Sequence, residues 1–157
     1  FIPAAEAANW KAGPWPGLNV RQAKAVLRPA TTAEVSEILK RCNAAGQRVV
    51  PAGGLSGLVH GTDSDADEVI LSLERMSHIL DVDPVGRTMT VEAGAPLQAI
   101  QEAADAKGLF FPLDLGARGS ATIGGNIATN AGGNRVIRYG MTRELVLGLE
   151  AVLADGT

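Results

Sequence analysis

Residues 112–133 read PLDLGARGSATIGGNIATNAGG, and the fold turns on how this stretch is interpreted. Six glycines (Gly116, Gly119, Gly124, Gly125, Gly132 and Gly133) are interleaved with short polar side chains, Ser120, Thr122, Asn126, Thr129 and Asn130. No helical or strand period emerges between Pro112 and Gly140. A loop that long is uncommon in a compact domain unless it is functional or disordered. Few charges and many glycines argue against disorder. Bare backbone with short hydroxyl and amide groups can approach a planar ring closely and hydrogen-bond its edge. The bland reading is a loop that only packs on its own domain.

Working outward toward the N-terminus, residues 51–61 read PAGGLSGLVHG. Glycine adopts positive φ without the clash of roughly 1–2 kcal/mol that a side chain meets. Positive φ in this loop would let successive amides point into one anion-binding concavity. Ser56 adds a hydroxyl donor. Hydrogen bonds to a charged acceptor contribute about 1.5–3 kcal/mol each, so several would hold a pyrophosphate without any lysine. The plain alternative is a tight surface turn. These two stretches hold ten of the 19 glycines, so the glycine excess marks two particular loops and no general flexibility.

The common nucleotide and hydrolase motifs fail. Glycines nowhere fall as G-x-G-x-x-G, so no dinucleotide turn of the Rossmann kind is indicated. Gly119 and Gly124 have Walker spacing, but Gly125-Asn126 stand where Lys-Ser/Thr is required. Gly54-Leu55-Ser56-Gly57-Leu58 lacks the closing glycine of a nucleophile elbow.

The remaining elements place the loops. Residues 1–24 carry Trp10, Pro14, Trp15 and Pro16 without periodicity and read as an arm that packs through its tryptophans. Ala25 to Arg28 is a short strand stopped by Pro29. Thr31-Thr32-Ala33-Glu34 is a capping box. Val35, Ile38, Leu39 and Cys42 follow as one helical face, which Gly46 ends. Arg48 to Pro51 is a second strand with the first glycine loop at its C-terminal end. Val69 to Leu73 and Thr88 to Glu92 are two more strands. Pro96 opens a second helix with Leu97, Ile100 and Ala104 inward. Leu145 to Leu153 reads as a strand leading into Asp155-Gly156, a hairpin signal whose second strand lies outside the sequence. The expectation is an incomplete hairpin, a C-terminally truncated domain and weak cofactor retention by residues 1–157 alone.

Composition excludes several classes. A net charge of −3 without a basic block argues against nucleic acid. The longest apolar runs are too short to cross a bilayer. Residues 1–17 lack the basic start and apolar core of a secretory signal. Cys42, the only cysteine, excludes an internal disulfide and makes a reducing, cytoplasmic compartment the default. His60, His78 and Cys42 form no metal constellation.

Taken together, PAGGLSGLVHG, PLDLGARGSATIGGNIATNAGG, RYG and LGLEAVLADG closely resemble the FAD-binding domain of the vanillyl-alcohol oxidase/p-cresol methylhydroxylase type. The nearest branch is that of the D-2-hydroxyacid dehydrogenases: glycolate oxidase subunit, D-lactate and D-2-hydroxyglutarate dehydrogenases. The resemblance covers about residues 25–157. It implies an α+β fold of two small sheet-and-helix subdomains gripping an extended FAD, with residues 1–24 as an arm and the substrate domain outside the sequence. It implies a pyrophosphate loop at Gly53, Gly54, Leu55, Ser56 and Gly57. It implies a flavin- and ribityl-lining segment at Pro112, Gly116, Ser120, Gly124, Gly125, Asn126, Thr129, Asn130 and Gly132.

Leu55 departs from the asparagine or glycine often found there, and His60 from a common glycine. Some relatives bind FAD covalently through a histidine directly after the Gly-Gly pair; Leu55 fills that place, so non-covalent FAD is expected. His60 is then structural and His78 a surface residue. The implied reaction is oxidation of a D-2-hydroxyacid, a small-molecule partner bound by the absent domain, with hydride transfer to FAD. No residue of this chain is assigned a catalytic role, and Arg118 and Arg138 read as solvated. The alternatives are another oxidase of the same family, acting on aldonolactones or phenols, and a non-catalytic flavin-binding module.

Overall fold

The computed structural model describes residues 1–11, 13–15 and 21–157. Pro16 of the arm lies outside the described residues. Two small sheets organise the chain. The first has four strands in the order β1-β2-β4-β3, formed by β1 (Ile2–Pro3), β2 (Ala25–Leu27), β4 (Val69–Ser72) and β3 (Val49–Ala52). β1 runs antiparallel to β2, whereas β2, β4 and β3 are mutually parallel. The central strand β4 is buried along its whole length, and its Val-Ile-Leu-Ser run suits a strand covered on both faces.

Strand alternation divides the core. Val26 and Ile70 face one side with Ala7, Ala23, Ala52, Leu55, Ile2 and Trp10. Leu27 and Leu71 face the other, against Val35, Ile38 and Leu39 of α2 (Thr32–Ala44). Half of the capping box forms: Glu34 N–H donates to Thr31 Oγ1 at 3.2 Å, whereas the Glu34 carboxylate accepts from the N–H of Ala30, one residue before the N-cap, at 2.7 Å. Gly46, at φ +63°, ends the helix as glycine can without a Cβ penalty.

The arm covers the first face. It contains β1 and a four-residue helical turn, α1 (Ala4–Ala7), neither of which shows in the sequence because elements this short carry no period. Its tryptophans do reach the domain: Trp10 Nε1–H donates to Glu74 Oε1 at 3.1 Å and Trp15 Nε1–H to the Ser56 carbonyl at 3.1 Å.

The second sheet is the hairpin of β5 (Ile79–Asp83) and β6 (Thr88–Val91). With α3 (Leu97–Asp105) and α4 (Ile123–Ala128) it encloses a further core of Ala95, Ile100 and Ile123, flanked by Met89, Val91, Phe111 and Ile127. Leu97, Ile100 and Ala104 of α3 point inward as their spacing requires. Gly94 joins the halves: its N–H donates to the Met76 carbonyl at 2.7 Å, and a Cβ there would lie 2.0 Å from the Leu73 carbonyl oxygen.

Two expectations are overturned. The segment from Pro112 to Gly140 is not wholly irregular, since it contains α4 and a further turn, α5 (Val136–Tyr139). Residues 145–153 form no strand; a 3₁₀ turn at Thr142–Leu145 leads into a segment without a ladder partner among the described residues. That segment lies along α2 instead. Thr32 Oγ1–H donates to Glu150 Oε2 at 2.9 Å, Val152 packs near Leu71, and Ser36 Oγ–H donates to the Gly156 carbonyl. Alternating apolar residues need a neighbouring edge to become a strand, and here the alternation meets a helix.

Candidate functional site

The first glycine loop leaves the C-terminal end of β3. Its glycines do not have positive φ; the left-handed conformations fall on Leu55 (φ +54°) and His60 (φ +57°). This corrects the reason for the glycine pair, which is close approach. A Cβ on Gly53 would lie 2.3 Å from Thr122 Oγ1, and one on Gly54 would lie 1.7 Å from the Ser120 carbonyl oxygen. The second segment presses directly against the first. Gly53 and Gly54 are the residues that let it do so.

The second segment is a closed loop. Asp114 and Gly133 bridge its ends, and the Asp114 carbonyl accepts from Asn134 N–H at 3.0 Å. The Asp114 carboxylate holds Arg118 at 3.2 Å and Arg135 at 3.5 Å. The first two amides of each adjoining helix are already engaged. In α3, Leu97 and Gln98 donate to the carbonyls of Ala121 and Arg118, and in α4, Ile123 and Gly124 donate to those of Ala95 and Ala93.

Further donors lie in the first loop and on the side chains at the start of α4. Among the described residues, the amides of Gly53, Gly54, Ser56 and Gly57 have no backbone acceptor. Thr122 Oγ1 and Asn126 Nδ2 are buried without a hydrogen-bond partner among the described residues. They stand four apart at the start of α4, hence on one face of it. A buried polar group without a partner costs about 1–3 kcal/mol. Two such groups, one of them against Gly53, are placed to donate to an acceptor-bearing molecule.

Not every expected site residue converges there. Gly53, Gly54, Ser120 and Asn126 do, and Ser56 and Gly57 continue the first loop into solvent. Leu55 turns its side chain into the core, where it is 2% exposed. Gly124 packs on Ala93 and Gly125 is exposed at the helix surface. Thr129 returns its hydroxyl to the Gly125 carbonyl at 2.9 Å, and Asn130 Oδ1 accepts from Arg143 N–H at 3.0 Å. A Cβ on Gly132 would meet Met141 Sδ at 2.9 Å. These last three serve the base of the loop. Pro112 is half-buried and Gly116 exposed at its entrance. Thr122 is absent from the expected set, although the sequence placed its hydroxyl in the glycine-rich segment.

His60 Nδ1 pairs with Asp63 Oδ2 at 2.9 Å and His78 Nδ1 with Glu92 Oε2 at 2.7 Å. Both histidine side chains are largely exposed.

Residues 23–157 match the family described as "FAD binding domain". The chain belongs to that family. The FAD-binding domain is 51% identical over 132 residues to the D-2-hydroxyglutarate dehydrogenase of Xanthomonas citri pv. viticola, covering 84% of this chain and 28% of that protein. It is 49% identical over 134 residues to the mitochondrial D-2-hydroxyglutarate dehydrogenase of Bos taurus, covering 85% of this chain and 25% of that one. The chain thus spans about a quarter of the length of these relatives. In fold it is similar to 6-hydroxy-D-nicotine oxidase from Arthrobacter nicotinovorans, with a TM-score of 0.80, 18% identity, and coverage of 100% of this chain and 34% of that one. An alkyldihydroxyacetonephosphate synthase aligns with a TM-score of 0.71 and 21% identity, over 78% of this chain and 23% of that one. No helix among the described residues is long and apolar enough to cross a membrane.

FAD suits the donor set. Its pyrophosphate offers only acceptors, and the contact between the two loops offers groups able to donate: the amides of Gly53 and Gly54, the Thr122 hydroxyl and the Asn126 carboxamide NH₂.

Proposed function

We propose that residues 25–157 are the cofactor-binding unit of a longer flavin-dependent dehydrogenase that oxidises D-2-hydroxyacids, with residues 1–24 as its arm. The observation that carries this reading is the pair of buried, unpartnered donors, Thr122 Oγ1 and Asn126 Nδ2, at the junction of two glycine segments. The names of the relatives supply the substrate class. The amides of Gly53, Gly54, Ser56 and Gly57 would hold the pyrophosphate together with Thr122. Asn126 and the backbone around Ser120, Gly124 and Gly125 would line the ring-bearing part. Pro112, Gly116, Leu55, Thr129, Asn130 and Gly132 would shape the loops that present these donors.

Bound FAD supplies the hydride acceptor. The residues of this chain bind and orient; the groups that hold the hydroxyacid and take its proton belong to the rest of the enzyme. Leu55 occupies the position after Gly53-Gly54 and cannot form a covalent flavin link there, which supports non-covalent binding of the cofactor. An unpaired Cys42 accords with a reducing compartment such as the cytoplasm.

The test uses the polypeptide carrying these residues at its full natural length. Loaded with FAD, it should reduce an artificial electron acceptor with D-2-hydroxyglutarate or D-lactate, and not with the L-enantiomers. Acid precipitation should leave the flavin in solution. Oxidation of neither D-hydroxyacid, with the protein folded and flavin bound, would overturn the assignment.

A further inference from the structure

The family match begins at residue 23, so it assigns nothing to the arm. Yet the arm touches the first glycine loop twice. Lys11 Nζ donates to the Gly53 carbonyl at 3.3 Å, and Trp15 Nε1–H donates to the Ser56 carbonyl at 3.1 Å. Both contacts span more than forty residues of sequence and land on carbonyls of the segment in which the amides of Gly53, Gly54, Ser56 and Gly57 have no backbone acceptor among the described residues.

Peptide geometry makes these contacts directional. In a trans peptide the C=O of one residue and the N–H of the next lie in one plane and point in opposite directions, and no described peptide bond is cis. Holding the Gly53 carbonyl toward Lys11 turns Gly54 N–H the other way. Holding the Ser56 carbonyl toward Trp15 does the same for Gly57 N–H. A loop with three glycines in five residues (Gly53, Gly54 and Gly57) has several accessible arrangements, and glycine peptides flip most easily. Two donors on the carbonyl side select one of them.

The arm is itself fixed where it makes these contacts. Glu74, just beyond β4, accepts from Trp10 Nε1–H at 3.1 Å, pairs with Lys11 Nζ at 3.9 Å and forms an ion pair with Arg28. Ala7 is fully buried and Trp10 packs against the same core as Leu55. The arm thus connects the sheet core to the loop carbonyls.

We infer that Lys11 and Trp15 are positioning residues that hold the Gly53 and Ser56 peptides so that the amides of Gly54 and Gly57 face the phosphates of FAD. This rests on the cofactor assignment proposed above. Preorganisation of this kind adds affinity by lowering the ordering cost on binding.

The test is a titration of the full-length apoprotein with FAD, ADP and riboflavin, for wild type, Lys11→Met, Trp15→Phe and the double variant. Each substitution removes a donor and keeps most of the side-chain bulk. The double variant should bind FAD and ADP at least tenfold more weakly, with riboflavin affinity and apoprotein melting temperature unchanged. Lys11→Arg should restore most of the loss caused by Lys11→Met. FAD affinity within twofold of wild type in the double variant would overturn the inference. So would a loss shared equally by riboflavin and accompanied by a lower apoprotein melting temperature, since the arm would then act by packing. Failure of the wild-type protein to bind FAD at all would instead overturn the cofactor assignment, and this inference with it.

Discussion

At the scale of single residues, the first loop shows why two unusual positions matter. Leu55 and His60, which depart from the asparagine or glycine expected there, are the two residues of the loop in the left-handed region. A side chain in that conformation costs roughly 1–2 kcal/mol relative to glycine. Leu55 offsets the cost by burying its side chain with Val26 and Ile70. His60 is exposed and gains only a surface pair with Asp63, a kind of contact worth about 0–1 kcal/mol. His60→Gly should therefore raise the melting temperature by about 1–2 °C, the extra freedom of glycine in the unfolded chain limiting the gain. His60→Val, β-branched at positive φ, should lower it. Thermal melts giving the reverse order would contradict the strain assignment. The sequence marked both positions as departures, but the conformation that makes them costly is set by the path of the whole loop.

At the scale of elements, legibility followed the source of stability. α2 and α3 were readable because their signals are local: a Thr31–Glu34 capping box, Val35 with Ile38 and Leu39, and Leu97 with Ile100 and Ala104. α4 was not, since two of its six residues, Gly124 and Gly125, disfavour helix, and its first amides are satisfied by Ala93 and Ala95 across the fold. β5 escaped notice for another reason. A register irregularity between Ile79 and Asp81 breaks the alternation and leaves Leu80 exposed.

The hairpin of β5 and β6 is held closed at its open end by Glu92, whose N–H donates to the His78 carbonyl at 2.9 Å and whose Oε2 accepts from His78 N–H at 2.8 Å and pairs with Nδ1. The backbone N–H of His78 is the main cause holding the Glu92 carboxyl below the usual glutamate range; partial burial opposes it, and the His78 ring adds a smaller lowering. A lowered folded-state value contributes stability that is present above the ordinary glutamate value. It is lost as pH falls through the folded value. In urea melts between about pH 5 and pH 3, Glu92→Gln should lose stability less steeply than wild type. Parallel acid limbs would show that Glu92 is not a source of the pH dependence.

At the scale of the whole molecule, the two sheets are brought together by glycines, at Gly94 against Leu73 and at Gly53 and Gly54 against Thr122 and Ser120. The family resemblance implied the α+β class, and both glycine segments could be read directly because glycine clusters are local facts. That the segments touch could not, since the contact joins positions nearly seventy residues apart. The same distance hid Thr122, whose hydroxyl becomes significant only when Gly53 lies beside it. Two loops in direct contact can present donors without a Walker or Rossmann glycine pattern.

The most direct measurement is a comparison of FAD with riboflavin by flavin fluorescence titration of the full-length apoprotein. If the loop amides and Thr122 hold the pyrophosphate, losing even two charge-assisted bonds of about 1.5–3 kcal/mol each makes riboflavin at least about a hundredfold weaker. Saturable FAD binding with that gap is the predicted result. Equal affinity for the two, or no saturable binding of FAD by the folded protein, would contradict the account.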